Sequence, residues 1–335
     1  MPPDPIASAR RISDEVLFPG ALVVDEADIV PIDRLNTLAD AGFYGLAAPE
    51  DVGGMGLPGM AAAFDIIEIL AGGCLTTTFV WIQHHGAVRA LIETGPSALN
   101  AAFLEPLCHG AVRAGVAFSG LRRPGPPILT ATPAPGGWRF NGSAPWVTGW
   151  GRIDVIRAAA RRENGDIVWA LIDAAAGPTL SAEPLRLAAV NASATVTLTF
   201  REHEVPADRV ITIQPFEEWQ AGDRGSLRLN GSLALGVAAR CATLLESDRL
   251  NKDVRACREA LDQGDLDAMP ALRARASALA LRAATTLVVA GGGRLITKDH
   301  QAQRLAREAL FLLVFGQTAA IKAAQLDHLY DESHD

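Results

Sequence analysis

The 335-residue sequence lacks the features that mark disulfide-rich, zinc-binding and membrane-spanning proteins. It has four cysteines, which are widely scattered and form no Cys-x-x-Cys pair, so we expect free thiols in a reducing compartment and no metal site. The most apolar window, residues 278–290, contains Arg282 and ends at three glycines. That window is too short and too interrupted to span a bilayer, so no membrane-spanning segment is predicted.

Positive charge is also scarce, since 30 lysines and arginines stand against 38 aspartates and glutamates and leave a net charge of −8. An acidic surface disfavours nucleic-acid binding and a polybasic membrane anchor, although it leaves room for a local basic patch that binds an anion. Residues 1–16 contain no uninterrupted apolar segment after their basic pair, so a secretory signal is not expected. We therefore predict a cytoplasmic protein.

What is present is a folded chain with helical ends. Hydrophobic residues make up 49% of the sequence and charged residues 20%, which is typical of a globular protein of two or three structural units. Apolar residues recur at helical spacing in residues 32–41, 60–70 and 85–92, and again in residues 227–245, 270–290 and 301–315. Residues 53–56, with three glycines in four positions, predict a loop, and they lack the Lys-Ser/Thr pair of a phosphate-binding loop.

The region between the helical ends, residues 115–210, is rich in proline, glycine and strand-like segments. Residues 195–200 alternate apolar and polar positions, residues 167–172 form a second candidate strand, and residues 138–140 lead to an Asn141-Gly142 turn. These patterns predict a small antiparallel β unit of about a hundred residues between two helical regions.

Four stretches, in this order, resemble the acyl-CoA dehydrogenase superfamily. They are residues 38–57 (LADAGFYGLAAPEDVGGMGL), residues 141–149 (NGSAPWVTG), residues 204–210 (EVPADRV) and residues 291–321. The resemblance covers roughly residues 30–325. It implies an α+β fold with an N-terminal all-α domain (1–112), a middle antiparallel β-barrel-like domain (113–213) and a shortened C-terminal helical bundle (214–335).

The resemblance also implies FAD as the cofactor and places it against two segments. In the family, a tryptophan lies against the flavin ring and a hydroxyl two residues later bonds flavin N5, which here correspond to Trp146 and Thr148, with Val147 between them. A second flavin loop of the family corresponds to Phe118 and Ser119, where Ser119 replaces a threonine hydroxyl. The acidic residue of that loop is missing.

The family's catalytic base is not visible in this sequence. Most members use a glutamate before Gly-Thr in the last part of the chain, and Phe315 stands at that position; a minority use a glutamate at the start of the bundle, where Asp223 is the nearest carboxylate. Glu308 is a weak substitute, two helical turns before Phe315. Arg304 and Arg307 share one face of a helix that carries an arginine at a comparable place in the family. We favour the simpler interpretation, an ion pair on the protein surface with Glu308 or Asp299. His84 and His85 are weak substrate-binding candidates near the family's acyl pocket.

Three functions remain open at this point. The first is an FAD-dependent α,β-dehydrogenase of an acyl thioester, on CoA or a carrier protein, with hydride transfer to flavin N5. The second is a flavin oxidase or monooxygenase on the same fold, and the third is a non-catalytic subunit of a heteromeric dehydrogenase.

The segment between residues 245 and 263 lacks the family's Phe-Gly stretch, which reaches the neighbouring subunit's FAD, so a homodimer or a heteromer is expected. The acyl group, carrier and pathway are not specified.

Overall fold

The computed structural model describes residues 4–330, so the outermost residues of the predicted first and last domains, 1–3 and 331–335, lie outside the described part of the chain. Six α-helices open the fold: α1 (Pro5–Ile12), α2 (Phe18–Glu26), α3 (Ile32–Asp40), α4 (Met60–Gly73), α5 (Leu75–Thr94) and α6 (Ser97–Cys108). A π-helical segment, Ser13–Leu17, joins α1 to α2. Helix α3 shows why these helices form where they do, since Leu35 and Leu38 share its buried face and Gly42 ends the segment with a φ of 77°.

Eight strands follow and form one sheet: β1 (Ala114–Ala117), β2 (Leu129–Ala134), β3 (Gly137–Val147), β4 (Val155–Arg161), β5 (Ile167–Asp173), β6 (Leu180–Pro184), β7 (Val196–Pro206) and β8 (Val210–Gln214). The spatial order is β6-β7-β3-β2-β4-β5-β8, with β1 beside β4. The expectation of a purely antiparallel unit is wrong in one respect, because β1 pairs in parallel with β4, and β2 touches β4 in parallel at one register position.

The predicted turn at Asn141-Gly142 is wrong, because both residues lie inside the long strand β3. The chain turns earlier, at Gly136, where φ is 78°, and β3 then pairs with β2 on one side and β7 on the other. Gly142 has a φ of 122° beside a shift in the β3–β7 register, so the Asn-Gly pair produces a bulge. Pairing on both sides outweighs the local turn preference.

Helices return at α7 (Phe216–Asp223), α8 (Leu227–Leu244), α9 (Asp248–Gln263), α10 (Met269–Gly291), α11 (Gln301–Val314) and α12 (Ala319–Tyr330). The predicted boundary at residue 112 falls between α6 and β1, and the one at residue 213 falls within β8. The division into three domains stays a prediction.

The first and last helical regions share a hydrophobic core, while the inner face of the sheet has its own. Helices α4 and α8 come into backbone contact at two glycines, where a Cβ on Gly72 would lie 2.9 Å from the carbonyl oxygen of Gly236. Arg240 on α8 donates to the carbonyl oxygen of Gly72 at 2.8 Å and to the Ser13 hydroxyl at 3.1 Å. The two ends of the chain therefore depend on each other for burial.

Candidate functional site

The structure brings the two predicted flavin segments together at the end of β1. The Ser119 hydroxyl donates a hydrogen bond of 2.5 Å to the carbonyl oxygen of Pro145, the residue before Trp146. Strand β1 delivers Phe118 and Ser119 to this point, and the last residues of β3 deliver the other segment. Residues 26 positions apart in the sequence thus line one small region.

Trp146 is the most unusual residue of this region. Its φ is 61°, a left-handed backbone conformation that is costly for an aromatic residue, and its side chain is 50% exposed. The neighbouring Val147 is fully buried in the core of the sheet and fixes the strand end. Strain and a half-exposed indole at the same residue mark a surface shaped to receive a flat ligand.

Thr148 lies below that surface and bonds to other hydroxyl groups. Its oxygen is 3.1 Å from the Thr195 hydroxyl oxygen, which is 2.8 Å from that of Ser193, and all three side chains are buried. Three hydroxyl groups carry three protons and these two hydrogen bonds use two, so one proton stays available for another acceptor. Ser193 and Thr195 carry no recognisable signal in the sequence, because Thr148 and Thr195 are 47 residues apart and no local pattern links them.

Phe315, at the usual base position, lies in an aromatic cluster between α11 and α12. Its ring stacks on Phe311 with centroids 5.6 Å apart and meets Phe79 of α5 edge-on at 5.0 Å. Phe79 also packs against Phe311 at 5.1 Å. Hydrocarbon therefore fills the position from which a carboxylate would act in most family members.

Glu308 is not free to replace that carboxylate. It forms an ion pair with Arg304 at 2.6 Å, and the two side chains are only 2% and 1% exposed. Burial raises the pKa of Glu308, and Arg304 opposes this shift. The expected ion pair is present, but it lies in the core and not on the surface, while Arg307 pairs with Asp25. These bonds argue against Glu308 as a base.

Asp223, the other nearby carboxylate, is also bonded. Both of its oxygens accept hydrogen bonds from Arg122, at 2.6 and 2.7 Å, across 101 residues of sequence. A bidentate arginine holds a carboxylate as an anion in a fixed orientation. The carboxylates that the sequence offered near the predicted site are therefore engaged elsewhere.

His84 and His85 lie inside the helical region and not at a substrate cleft. His84 Nδ1 accepts a hydrogen bond of 3.1 Å from the backbone N–H of Ala114, so this ring anchors β1 to α5. The His85 ring meets Trp81 edge-on at 4.7 Å, and both histidines are buried. These contacts give both rings a structural role, and the substrate-binding role stays a prediction.

The two histidines predict that acid destabilises the fold. Burial lowers the pKa of His84 well below its usual value and lowers that of His85 to about 3. In the unfolded chain both histidines titrate near pH 6.5. Below that pH the unfolded state binds protons that the folded state does not bind, so the free energy of unfolding decreases. We expect the free energy of unfolding, measured with urea, to be lower at pH 5 than at pH 7 by roughly 2 kcal/mol on account of His85, with a further loss from His84.

The matched variant is His85→Phe, which keeps an aromatic ring beside Trp81 and removes one titrating group. Its unfolding free energy should fall between pH 7 and pH 5 by about 2 kcal/mol less than that of the parent protein. Equal losses in the two proteins would show that His85 is already protonated, or solvated, in the folded state.

In residues 4–330, no group of three or more His, Cys, Asp or Glu side chains is arranged to hold a metal ion. No helix in the same range has both the length and the apolar character needed to cross a membrane.

Comparison with known proteins gives the same family as the sequence motifs. Residues 6–111 match the family model described as "Acyl-CoA dehydrogenase, N-terminal domain". The first third of the chain is therefore similar to the N-terminal domain of acyl-CoA dehydrogenases. Benzylmalonyl-CoA dehydrogenase of Aromatoleum aromaticum is 29% identical over 155 residues, which are 45% of this chain and 41% of that protein. Human mitochondrial short-chain specific acyl-CoA dehydrogenase is 24% identical over 217 residues, 62% of this chain and 52% of that protein. The chain thus spans about half the length of these curated relatives.

Solved structures confirm the expected fold along nearly the whole chain. Butyryl-CoA dehydrogenase from Megasphaera elsdenii superposes with a TM-score of 0.84 at 18% identity, covering 96% of this chain and 95% of that one. A glutaryl-CoA dehydrogenase from Mycobacterium smegmatis, in complex with FADH2, superposes with a TM-score of 0.79 at 16% identity, covering 98% and 94%. The α+β acyl-CoA dehydrogenase fold is therefore present, with the sheet between two helical regions.

Proposed function

We propose that this protein is an FAD-dependent oxidoreductase that acts on an acyl thioester, carried by CoA or by an acyl-carrier protein. The β hydrogen would leave as a hydride to flavin N5 and the α proton would pass to water. The observation that carries the proposal is the hydrogen bond from Ser119 to Pro145, which joins both predicted flavin segments beside the strained, half-exposed Trp146. The acidic composition and the four buried free cysteines support a cytoplasmic location.

The residues present fit a flavin. Trp146 supplies an exposed ring face, Phe118 and Ser119 supply backbone N–H groups, and Thr148 ends a hydroxyl chain with one unused proton. FAD, when bound, supplies the hydride acceptor. The chain's own contribution would be to hold the ring on Trp146 and to offer it the unused proton of the Thr148, Thr195 and Ser193 hydroxyl chain.

Trp146 gives the direct test of FAD binding. We expect the purified protein to keep visible flavin bands through gel filtration, and Trp146→Ala to weaken FAD binding about tenfold, because a stacked aromatic contact is worth roughly 1–1.5 kcal/mol. The control is Trp138→Ala, at the far end of the same strand, roughly 25 Å away at strand spacing. A protein that stays colourless after reconstitution, or equal losses in both variants, would contradict the proposed site.

A second candidate function has its own support. Leu310 and Val314 are exposed one helical turn apart on α11, next to the loop that carries Phe315, and Leu329 and Tyr330 are exposed on α12. Such a face, together with the missing base, supports a non-catalytic subunit that pairs with a chain of the same fold bearing the catalytic carboxylate. Leu310→Lys would then release a co-purified longer dehydrogenase; retention of that partner would count against this role.

A further inference from the structure

An arginine and aromatic cluster lies on the face of β4 and β5 that packs against α5 and α6, beside the loop that follows β1. Arg157 and Arg161 are four residues apart on β4 and so project from the same face, with Ala159 between them and Trp169 directly opposite Ala159 on β5. The loop contributes Phe118, and α7 contributes Phe216 and Trp219. We call this group the arginine–aromatic cluster.

Both arginines of β4 are stacked on aromatic rings. The Arg157 guanidinium carbon lies 3.8 Å from the Trp169 ring centroid and 5.9 Å from that of Phe118, and Arg161 lies 3.9 Å from that of Phe216. Stacking fixes the plane of a guanidinium group and leaves its N–H donors at the edges of that plane. These side chains are therefore already ordered for a planar, two-point contact with an anion.

The charges of these arginines are not neutralised within the described residues. The guanidinium groups of Arg123, Arg157 and Arg161 form no ion pair there, and the buried Nε atoms of Arg157 and Arg161 have no hydrogen-bond partner. Two acids nearby are already engaged, since Asp223 binds Arg122 and Glu93 binds Arg89. Positive charge that no carboxylate neutralises attracts anions to the partly exposed ends of these side chains.

A recess beside the cluster gives the anion a place to bind. The recess is lined by small residues, including Ala117, Gly120 and Ala159, and also by Arg123 and Arg161. The enclosed space is about 20 Å³, room for a water molecule, so a larger anion would sit at the mouth between the two arginines. Glu217 and Glu218 of α7 are exposed and form no ion pair with this edge.

We propose that the arginine–aromatic cluster is a binding site for the phosphate group of an organic phosphate, with Arg123 and Arg161 at the mouth and Arg157 behind them. The local positive charge in a protein of net charge −8 concentrates such anions at this face. Guanidinium groups match phosphate oxygens with two parallel hydrogen bonds. The phosphate can belong to a flavin dinucleotide or to the carrier of an acyl thioester, since both contain phosphate groups.

The experiment is a titration of the purified full-length protein with inorganic pyrophosphate at low ionic strength. Binding is followed by calorimetry and by tryptophan fluorescence, because Trp169 and Trp219 lie in the cluster. We expect saturable binding that weakens at least about tenfold in Arg161→Gln, since a hydrogen bond to a charged group is lost. Arg157→Lys, which keeps the charge but loses the planar fork, should also weaken binding.

The matched control is Arg162→Gln, one residue further along the chain. Arg162 already binds Asp166 at 3.0 Å, so its removal should leave the dissociation constant unchanged. Absence of saturable binding in the parent protein, or equal weakening in Arg161→Gln and Arg162→Gln, would overturn the proposal. Thermal unfolding of each variant separates lost binding from lost folding.

Competition then identifies the source of the phosphate. Displacement of pyrophosphate by CoA assigns the cluster to the thioester carrier, and displacement by FAD assigns it to the cofactor; either result supports a phosphate site. The inference does not depend on the proposed function. A colourless protein that cannot be reconstituted with FAD, but still binds pyrophosphate through Arg161, would contradict the flavin proposal and support the phosphate site.

Discussion

Replacing Phe315 with glutamate is expected to raise the rate of anaerobic flavin reduction by an acyl thioester by roughly 10²- to 10⁴-fold, the usual contribution of a positioned general base. Phe315 stands where most family members carry that base, and its ring packs on Phe79 and Phe311. In Phe315→Glu a carboxylate would occupy the same loop between α11 and α12, partly enclosed by hydrocarbon. Partial burial raises the pKa of a carboxyl group toward the range suited to proton transfer.

The control for this gain is Phe315→Gln, which has nearly the same shape as glutamate but cannot take up a proton. The glutamine variant should lose the aromatic packing equally and reduce flavin no faster than the parent protein. Stopped-flow absorbance under nitrogen, with the reconstituted protein and a short acyl-CoA, gives both rates. Equal rates in the two variants would mean that this loop does not face the substrate, and the non-catalytic reading would gain support.

Breaking the buried ion pair of α11 is expected to cost about 3–5 kcal/mol of unfolding free energy, the usual cost of leaving a buried charge unpaired. In Glu308→Gln the guanidinium group of Arg304 stays in the core without its carboxylate. The matched control is Glu93→Gln, which removes the same group from the exposed pair with Arg89, also four residues apart on one helix. That change should cost no more than about 0.5 kcal/mol.

A double substitution separates the charge from the packing. Arg304→Met combined with Glu308→Leu replaces the buried pair with apolar side chains, so the double variant should be about as stable as the parent protein or more stable. Urea unfolding of the parent protein and of these three variants at pH 7 provides the comparison. A single variant at Glu308 that costs less than about 1 kcal/mol would show that water reaches this pair, contrary to its burial in the structure.

Much of the fold could be predicted from local patterns. The spacing of Leu35 and Leu38 predicted α3, and the alternation in residues 195–200 predicted most of the buried face of β7. An amphipathic helix can be recognised from the spacing of apolar side chains within one segment, and that spacing is visible in the sequence. The Asn141-Gly142 turn failed for the opposite reason, since the partners that keep β3 extended, β2 and β7, lie elsewhere in the sequence.

The site was predictable only where it depends on short motifs. The motif around Trp146 pointed to the end of β3, where the backbone is strained. The contacts that engage Phe315 and Asp223 join residues far apart in the sequence, so no short motif predicts them. Phe79 meets Phe315 from another helix, and Arg122 binds Asp223 across 101 residues. Spacing also placed Arg304 and Glu308 on one face of a helix, yet it could not show that this face is buried.

The contact between α4 and α8 has a consequence for how this protein is made. Gly72 and the side chain of Arg240 that binds its carbonyl oxygen are 168 residues apart, and a ribosome needs about 10–30 s to add that many. During that interval the face of α4 that α8 covers stays exposed, because α8 has not yet been synthesised. Exposed apolar surface on a growing chain is what chaperones protect, so we expect this face to be their target until α8 emerges.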